Sequence, residues 1–104
     1  MIVTTSDLIP GHDIDETIGL VTANAVRARN VGRDITASFK NLIGGRVGAY
    51  QQLLIESREE ALAELEEKAR QQGADAIVAL RMSTSSITSG AAEVLVYGTA
   101  VKLR

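Results

Sequence analysis

The chain has 104 residues, enough for one domain spanning 1–104. It holds no cysteine, which excludes disulfides, thiolate metal sites and cysteine nucleophiles. Its net charge of -2 creates no field that would gather nucleic acid or an anionic membrane surface.

Hydrophobic residues make up 45% of the chain, yet only Phe39, Tyr50 and Tyr97 are aromatic. Aromatic side chains usually dominate core burial, so this core has to be assembled from many small aliphatic contacts. A small lone domain also buries a low share of its surface, and packing against another copy would add to it. The N-terminus lacks the basic and long apolar regions of a secretory leader. The purest apolar run, residues 76–80, is far short of a membrane span. A cytoplasmic location is the expectation.

In chain order, residues 2–4 predict a short strand, and Pro10-Gly11 a turn. Residues 14–26 predict a strand with a bulge near Gly19. Ile35, Phe39, Leu42 and Ile43 recur at i, i+4, i+7 and i+8, which predicts a short amphipathic helix over residues 34–43 with Asp34 at its start. A long helix is expected over residues 46–72. Its apolar stripe is Tyr50, Leu54, Ala61, Leu65 and Ala69, widened by Val47, Leu53 and Leu62. Glu64–Lys68 and Glu66–Arg70 form i,i+4 pairs on it, and Gly73 is placed to end it. Residues 75–82 and 92–103 predict two strands of a hairpin joined by a long polar loop, residues 83–90.

These strands are apolar on both sides. In the last one, Leu95, Tyr97, Val101 and Leu103 point one way, and Val94, Val96 and Ala100 the other. In the strand before it, Ile77 and Ala79 oppose Ala76, Val78, Leu80 and Met82. An antiparallel sheet with one wet face alternates apolar and polar residues instead. One long helix covers one face, and ten residues of short helix are too few for the whole of the other. A homo-oligomer is the expectation, since a large exposed apolar face marks an interaction site; the alternative is that the short helix does cover that face and the chain is a monomer. Residues 27–46 carry five basic residues and one acid, and residues 56–68 carry six acids and two bases. Head-to-tail pairing of these segments would close a ring, and two solvated charged surfaces unrelated to assembly would give the same pattern.

Taken together, Val3-Thr4-Thr5, Gly19-Leu20-Val21, Asp34, Gly44-Gly45 followed by Tyr50 and Leu54, Arg58 with Ala61, Gly73-Ala74-Asp75-Ala76 and the ending Tyr97-Gly98-Thr99-Ala100-Val101 resemble the YbjQ-like family of small bacterial proteins, described as heavy-metal-binding domains. The resemblance covers nearly the whole chain. It implies an α+β, dodecin-like subunit, with an antiparallel sheet carrying one long and one short helix. It also implies a pentameric ring in which extra short strands join neighbours, and it brings no established activity or cofactor.

Soft metals prefer thiolate, thioether and imidazole donors, and this chain has one histidine and two methionines. The local donor cluster is His12, Asp13, Asp15 and Glu16 beside the Pro-Gly turn, a set suited to harder ions and equally to an ordinary polar turn. Residues 44–48, Gly-Gly-Arg-Val-Gly, open the long helix, where free N–H groups and Arg46 suit an anion, or where glycine simply permits a tight corner. Tyr50, Arg58 and Glu93 are candidates for a polar ligand site between subunits, or for an interface ion pair. The hydroxyls of residues 83–89 have no neighbouring histidine in sequence to serve as a base. The resulting expectation is a non-enzymatic homo-oligomeric binding module whose cofactor or ligand the sequence does not name, a metal ion or small anion between subunits being the candidates. A purely structural oligomer and an enzyme with an inter-subunit site are the alternatives.

Overall fold

A computed structural model describes residues 1–28, 45–88 and 90–104. The expected short helix over residues 34–43 lies outside them. The elements are β1 (Ile2–Val3), β2 (Ile14–Ala28), α1 (Gly45–Gln71), β3 (Ala76–Thr88) and β4 (Ala91–Leu103). The strands form one sheet in the order β1-β3-β4-β2. β2–β4 and β3–β4 are antiparallel, but β1 adds to β3 in parallel. The sheet is therefore mixed and not purely antiparallel as expected, because the chain reaches the edge of β3 from its N-terminal side. No helix among the described residues is long and apolar enough to cross a membrane.

Helix α1 buries Leu53, Ser57, Ala61, Leu65 and Ala69, a line of every fourth residue. Tyr50 and Leu54, expected on the stripe, are only half-buried. Ser57 takes a place on it because its hydroxyl donates to the Leu53 carbonyl at 2.8 Å, so its burial leaves no orphan polar group. The small residues Ala61 and Ala69 bring the helix close to a floor of Val21, Ala23, Ala25, Val94, Val96 and Ala100. The helix stops in a Schellman motif. Gly73 adopts φ 83°, its N–H donates to the Arg70 carbonyl, and that of Ala74 donates to the Ala69 carbonyl. The Glu64–Lys68 pair forms at 3.5 Å, whereas Arg70 turns to Glu67 at 3.1 Å instead of to Glu66.

β3 is longer than expected. The polar residues 83–88 continue the strand, and the hairpin connection shrinks to residues 89–90. Thr84 and Ile87 are β-branched and suit a strand, and pairing with β4 continues to Thr88. A bulge interrupts that pairing between Val78 and Arg81, with Ala79 in the left-handed region at φ 54°. The bulge shifts the phase, so Leu80 joins Ile77 beneath the helix and Met82 follows on that side, contrary to the simple alternation. The N-terminal segment staples it: Ala79 N–H donates to the Ser6 carbonyl at 2.8 Å and Leu80 N–H to the Thr4 carbonyl at 3.0 Å. β2 is re-phased in the same way by two register shifts, between Ile14 and Glu16 and between Thr17 and Gly19, where Gly19 takes φ 135° and a side chain would be strained. Ile14 thereby packs on one face and Ile18 on the other.

The two faces end up differently covered. At one end of the sheet Ala76, Val78 and Val101 lie beneath Ile9, Ile14 and Leu103, so the chain's own loop closes the side away from the helix. Toward the other end that outer face carries exposed Leu95, Tyr97 and Val26. The chain is also long, 55 × 22 × 16 Å, with a radius of gyration of 17.2 Å, against about 13 Å for a compact domain of this length.

Three stability effects follow. Leu65→Ala, at a fully buried site, is expected to cost about 2–5 kcal/mol in urea denaturation followed by circular dichroism. A Cβ on Gly98 would stand 2.8 Å from Ile77 Cγ2 and 3.1 Å from the Val78 carbonyl, so Gly98→Ala should cost about 1–3 kcal/mol. Ala79→Gly should raise stability by up to about 1 kcal/mol in the same assay, by relieving the left-handed backbone.

Candidate functional site

The donor cluster at the N-terminal turn is built by the Pro10-Gly11 reversal, which brings the His12 N–H to the Ile9 carbonyl at 3.0 Å. Residues 8–14 line a solvent-facing depression of about 560 Å³. His12 and Asp13 are exposed beside it. The Asp15 carboxylate is paired with Arg104 at 3.1 Å, and that of Glu16 faces Lys102 at 3.9 Å. Two of the expected oxygen donors are thus neutralised by β4 and the C-terminus. Among the described residues, no three His, Asp or Glu side chains gather as a metal-holding group.

The second candidate set is split by the sheet. Tyr50 is half-buried and Arg58 exposed, both on α1. Glu93 pairs with Val26 across β2–β4 and accepts a hydrogen bond from Asn24 Nδ2 at 3.2 Å. Val26 alternates with Ala25, which faces the helix, so Glu93 lies on the opposite, outer face. One chain therefore does not bring Tyr50, Arg58 and Glu93 together. Arg46 occupies the first turn of α1, and its side chain is outside the described set.

The basic and acidic segments also meet within the chain. Arg27 Nε lies 3.1 Å from Glu60 and its Nη1 3.2 Å from Glu56. Both contacts are well exposed and contribute little stability, but they place residues 45–55 of the helix beyond the end of β2. Lys68 reaches the Thr22 carbonyl at 3.1 Å farther along. Part of the charge complementarity expected between subunits is used inside one.

The outer face of the sheet carries several exposed apolar residues. Its cross-strand rows are Thr22–Tyr97–Arg81, Asn24–Leu95–Ser83 and Val26–Glu93–Ser85. Leu20 is 71% exposed, Val26 56%, Leu95 37% and Tyr97 38%. Arg81 was absent from the sequence-based candidates. Its guanidinium Nη1 donates to the Thr5 carbonyl at 3.0 Å and the Leu80 carbonyl at 2.8 Å, which holds it at the border of the apolar centre. The only sign of it in the sequence is a lone cation ahead of a run of serines and threonines. Beyond Leu80 the outer edge of β3, residues 81–88, pairs with no other described strand.

Comparison with known proteins places this fold among relatives. The UPF0145 protein of Fervidobacterium nodosum is 50% identical over 104 residues, covering 100% of this chain and 96% of its own length. UPF0145 protein PBPRB0184 of Photobacterium profundum is 56% identical over 101 residues, covering 97% of each. A crystal structure from Pediococcus pentosaceus, titled as a protein with unknown function of the DUF74 family, superposes with a TM-score of 0.63 at 23% identity, covering 100% of this chain and 98% of that one. That likeness establishes the shared α+β fold. A family model described as "Putative heavy-metal-binding" matches residues 1–104, and the chain belongs to this YbjQ-like family.

Proposed function

We propose that the chain is one subunit of a homo-oligomeric, non-enzymatic binding module, in which another copy covers the outer sheet face and a small ligand or ion is held between subunits. The observation that carries this reading is the exposure of Leu20, Val26, Leu95 and Tyr97 on one face of an otherwise packed sheet. Left in water, that surface forgoes roughly 25 cal/mol per Å² of apolar area, and such patches are where proteins associate. The elongated shape and the unpaired edge at residues 81–88 support the same reading. A ring closed through such edges, pentameric as the family resemblance implies, is the form of assembly we propose.

The family description favours a metal ion as the ligand. With no thiolate in the chain, the donors would be carboxylate and imidazole groups repeated by symmetry, which suits borderline and hard cations better than the softest ones. A second reading, an oligomer with no small ligand, is favoured by the lack of a metal-holding group among the described residues of one chain.

Light scattering should give a solution mass several-fold above the 11.1 kDa of one chain. A species that stays at one copy at every concentration would end the proposal. Native mass spectrometry and elemental analysis of the same dialysed sample separate the two readings: a stoichiometric metal or small mass supports the first, and bare protein the second. The two faces of β4 should respond differently. Val96→Asp puts an unpaired carboxylate under the helix, where the native side chain is fully buried, and should abolish the folded circular dichroism spectrum. Leu95→Asp, on the outer face, should keep that spectrum and lower the solution mass.

A further inference from the structure

We propose that Arg81 is the anion-binding point of the outer sheet face, and that this face takes a small monocarboxylate with an apolar body. The carboxylate sits on the Arg81 guanidinium and the body lies along Tyr97 and Leu95. The inference rests on the reading that a small ligand is held between copies, and it names the chemical class of that ligand. A guanidinium repels cations, so this site is separate from any metal site.

The cation is held but not neutralised. Among the described residues, Arg27, Lys68, Arg70, Lys102 and Arg104 each face a carboxylate, and Arg81 and Arg58 do not. Of those two, Arg81 is the one that described hydrogen bonds fix in place. Its Nη1 donates to the Thr5 carbonyl at 3.0 Å and to the Leu80 carbonyl at 2.8 Å. Carbonyl dipoles orient a guanidinium without cancelling its charge. They also leave Nε and Nη2, two parallel N–H donors whose spacing matches the two oxygens of a carboxylate.

The surroundings select the rest of the ligand. Tyr97 is the row neighbour of Arg81 on β4, and Leu95 lies in the next row, about 7 Å along the strands. Both side chains are exposed. Glu93 stands one row farther on, where it accepts a hydrogen bond from Asn24 Nδ2. A second carboxylate at that end would meet like charge, which is disfavoured, so one acid group with a short apolar body fits best. When another copy covers the face, Arg81 loses its water, and a charge buried without a partner is strongly unfavourable. Most described acids that a neighbour could offer are already engaged: Glu56 and Glu60 at Arg27, Glu64 at Lys68, Glu67 at Arg70, Asp15 at Arg104 and Glu16 at Lys102. A carboxylate from solution answers the charge and the apolar rows together.

Isothermal titration calorimetry with octanoate, on wild-type protein whose mass is first read by light scattering, tests the site. Saturable binding is expected. Octanamide lacks the charge, inorganic phosphate lacks the apolar body and octanedioate carries a second acid, so each should bind about tenfold more weakly or worse. This ligand series needs no variant. Arg81→Gln, with its circular dichroism spectrum and solution mass kept, should weaken octanoate by about tenfold or more. An assembled wild-type sample that takes up no octanoate, any of the three analogues binding as tightly as octanoate, or equal octanoate affinity in Arg81→Gln would each overturn the site while leaving self-assembly standing. A folded Arg81→Gln variant of lower solution mass would overturn it too, by assigning Arg81 to an acid of the neighbouring copy. A wild-type chain with the mass of one copy would overturn both the shared-ligand reading and this inference.

Discussion

A sheet that is apolar on both faces, served by one long helix, determines most of this molecule. A helix is about 10–12 Å across and strands are about 4.8 Å apart, so α1 can cover about two strands. It lies over β2 and β4, with Val21, Ala23, Ala25, Val94, Val96 and Ala100 beneath it. Met82 of β3, on the same side, is left 44% exposed. The other side of β2 and β4 has no helix from the described residues, and its apolar residues face outward. The described residues therefore solve this burial problem for one face.

The bulges decide where that problem remains. At Ala79 and near Gly19 the strands change phase, and the N-terminal segment hydrogen-bonds to the first of these sites. On one side of the bulges, Ile9, Ile14 and Leu103 close a small second cluster with Ala76, Val78 and Val101. On the other side the outer face is open and carries Leu95, Tyr97 and Val26. The close approach of Gly98 to Ile77 and Val78 belongs to the same arrangement, since β4 passes the bulge with no room for a side chain. These backbone irregularities separate a half of the sheet whose outer face the chain's own loop covers from a half whose outer face carries exposed Leu95, Tyr97 and Val26.

The chemistry of a metal or anion site is less concentrated than the family description suggests. Asp15 and Glu16 are drawn toward Arg104 and Lys102, while Tyr50 and Arg58 lie on α1 and Glu93 lies on the outer sheet face. Among the described residues, these groups do not come together into one site. A ligand shared between copies would couple binding to assembly, because anything that binds only the associated form stabilises it by mass action.

The sequence by itself determined the long helix to within a residue at each end, its glycine stop, the strand with a bulge near Gly19, the hairpin and the two-faced character of β4. These are local periodicities and turn chemistries, and neighbours in the chain suffice to express them. Tertiary structure decided what depends on distant partners. It extended β3 through serines and threonines, because β4 offered hydrogen bonds that outweighed their polarity. It placed Ser57 in the helix stripe, because the Leu53 carbonyl satisfied its hydroxyl. It made β1 a parallel edge, moved Leu80 to the helix face through the bulge at Ala79, and separated Glu93 from Tyr50 and Arg58. It also set Arg81 beside Tyr97, since a cross-strand neighbour is fixed by register, and the register of β3 on β4 depends on a bulge that no spacing in the chain announces.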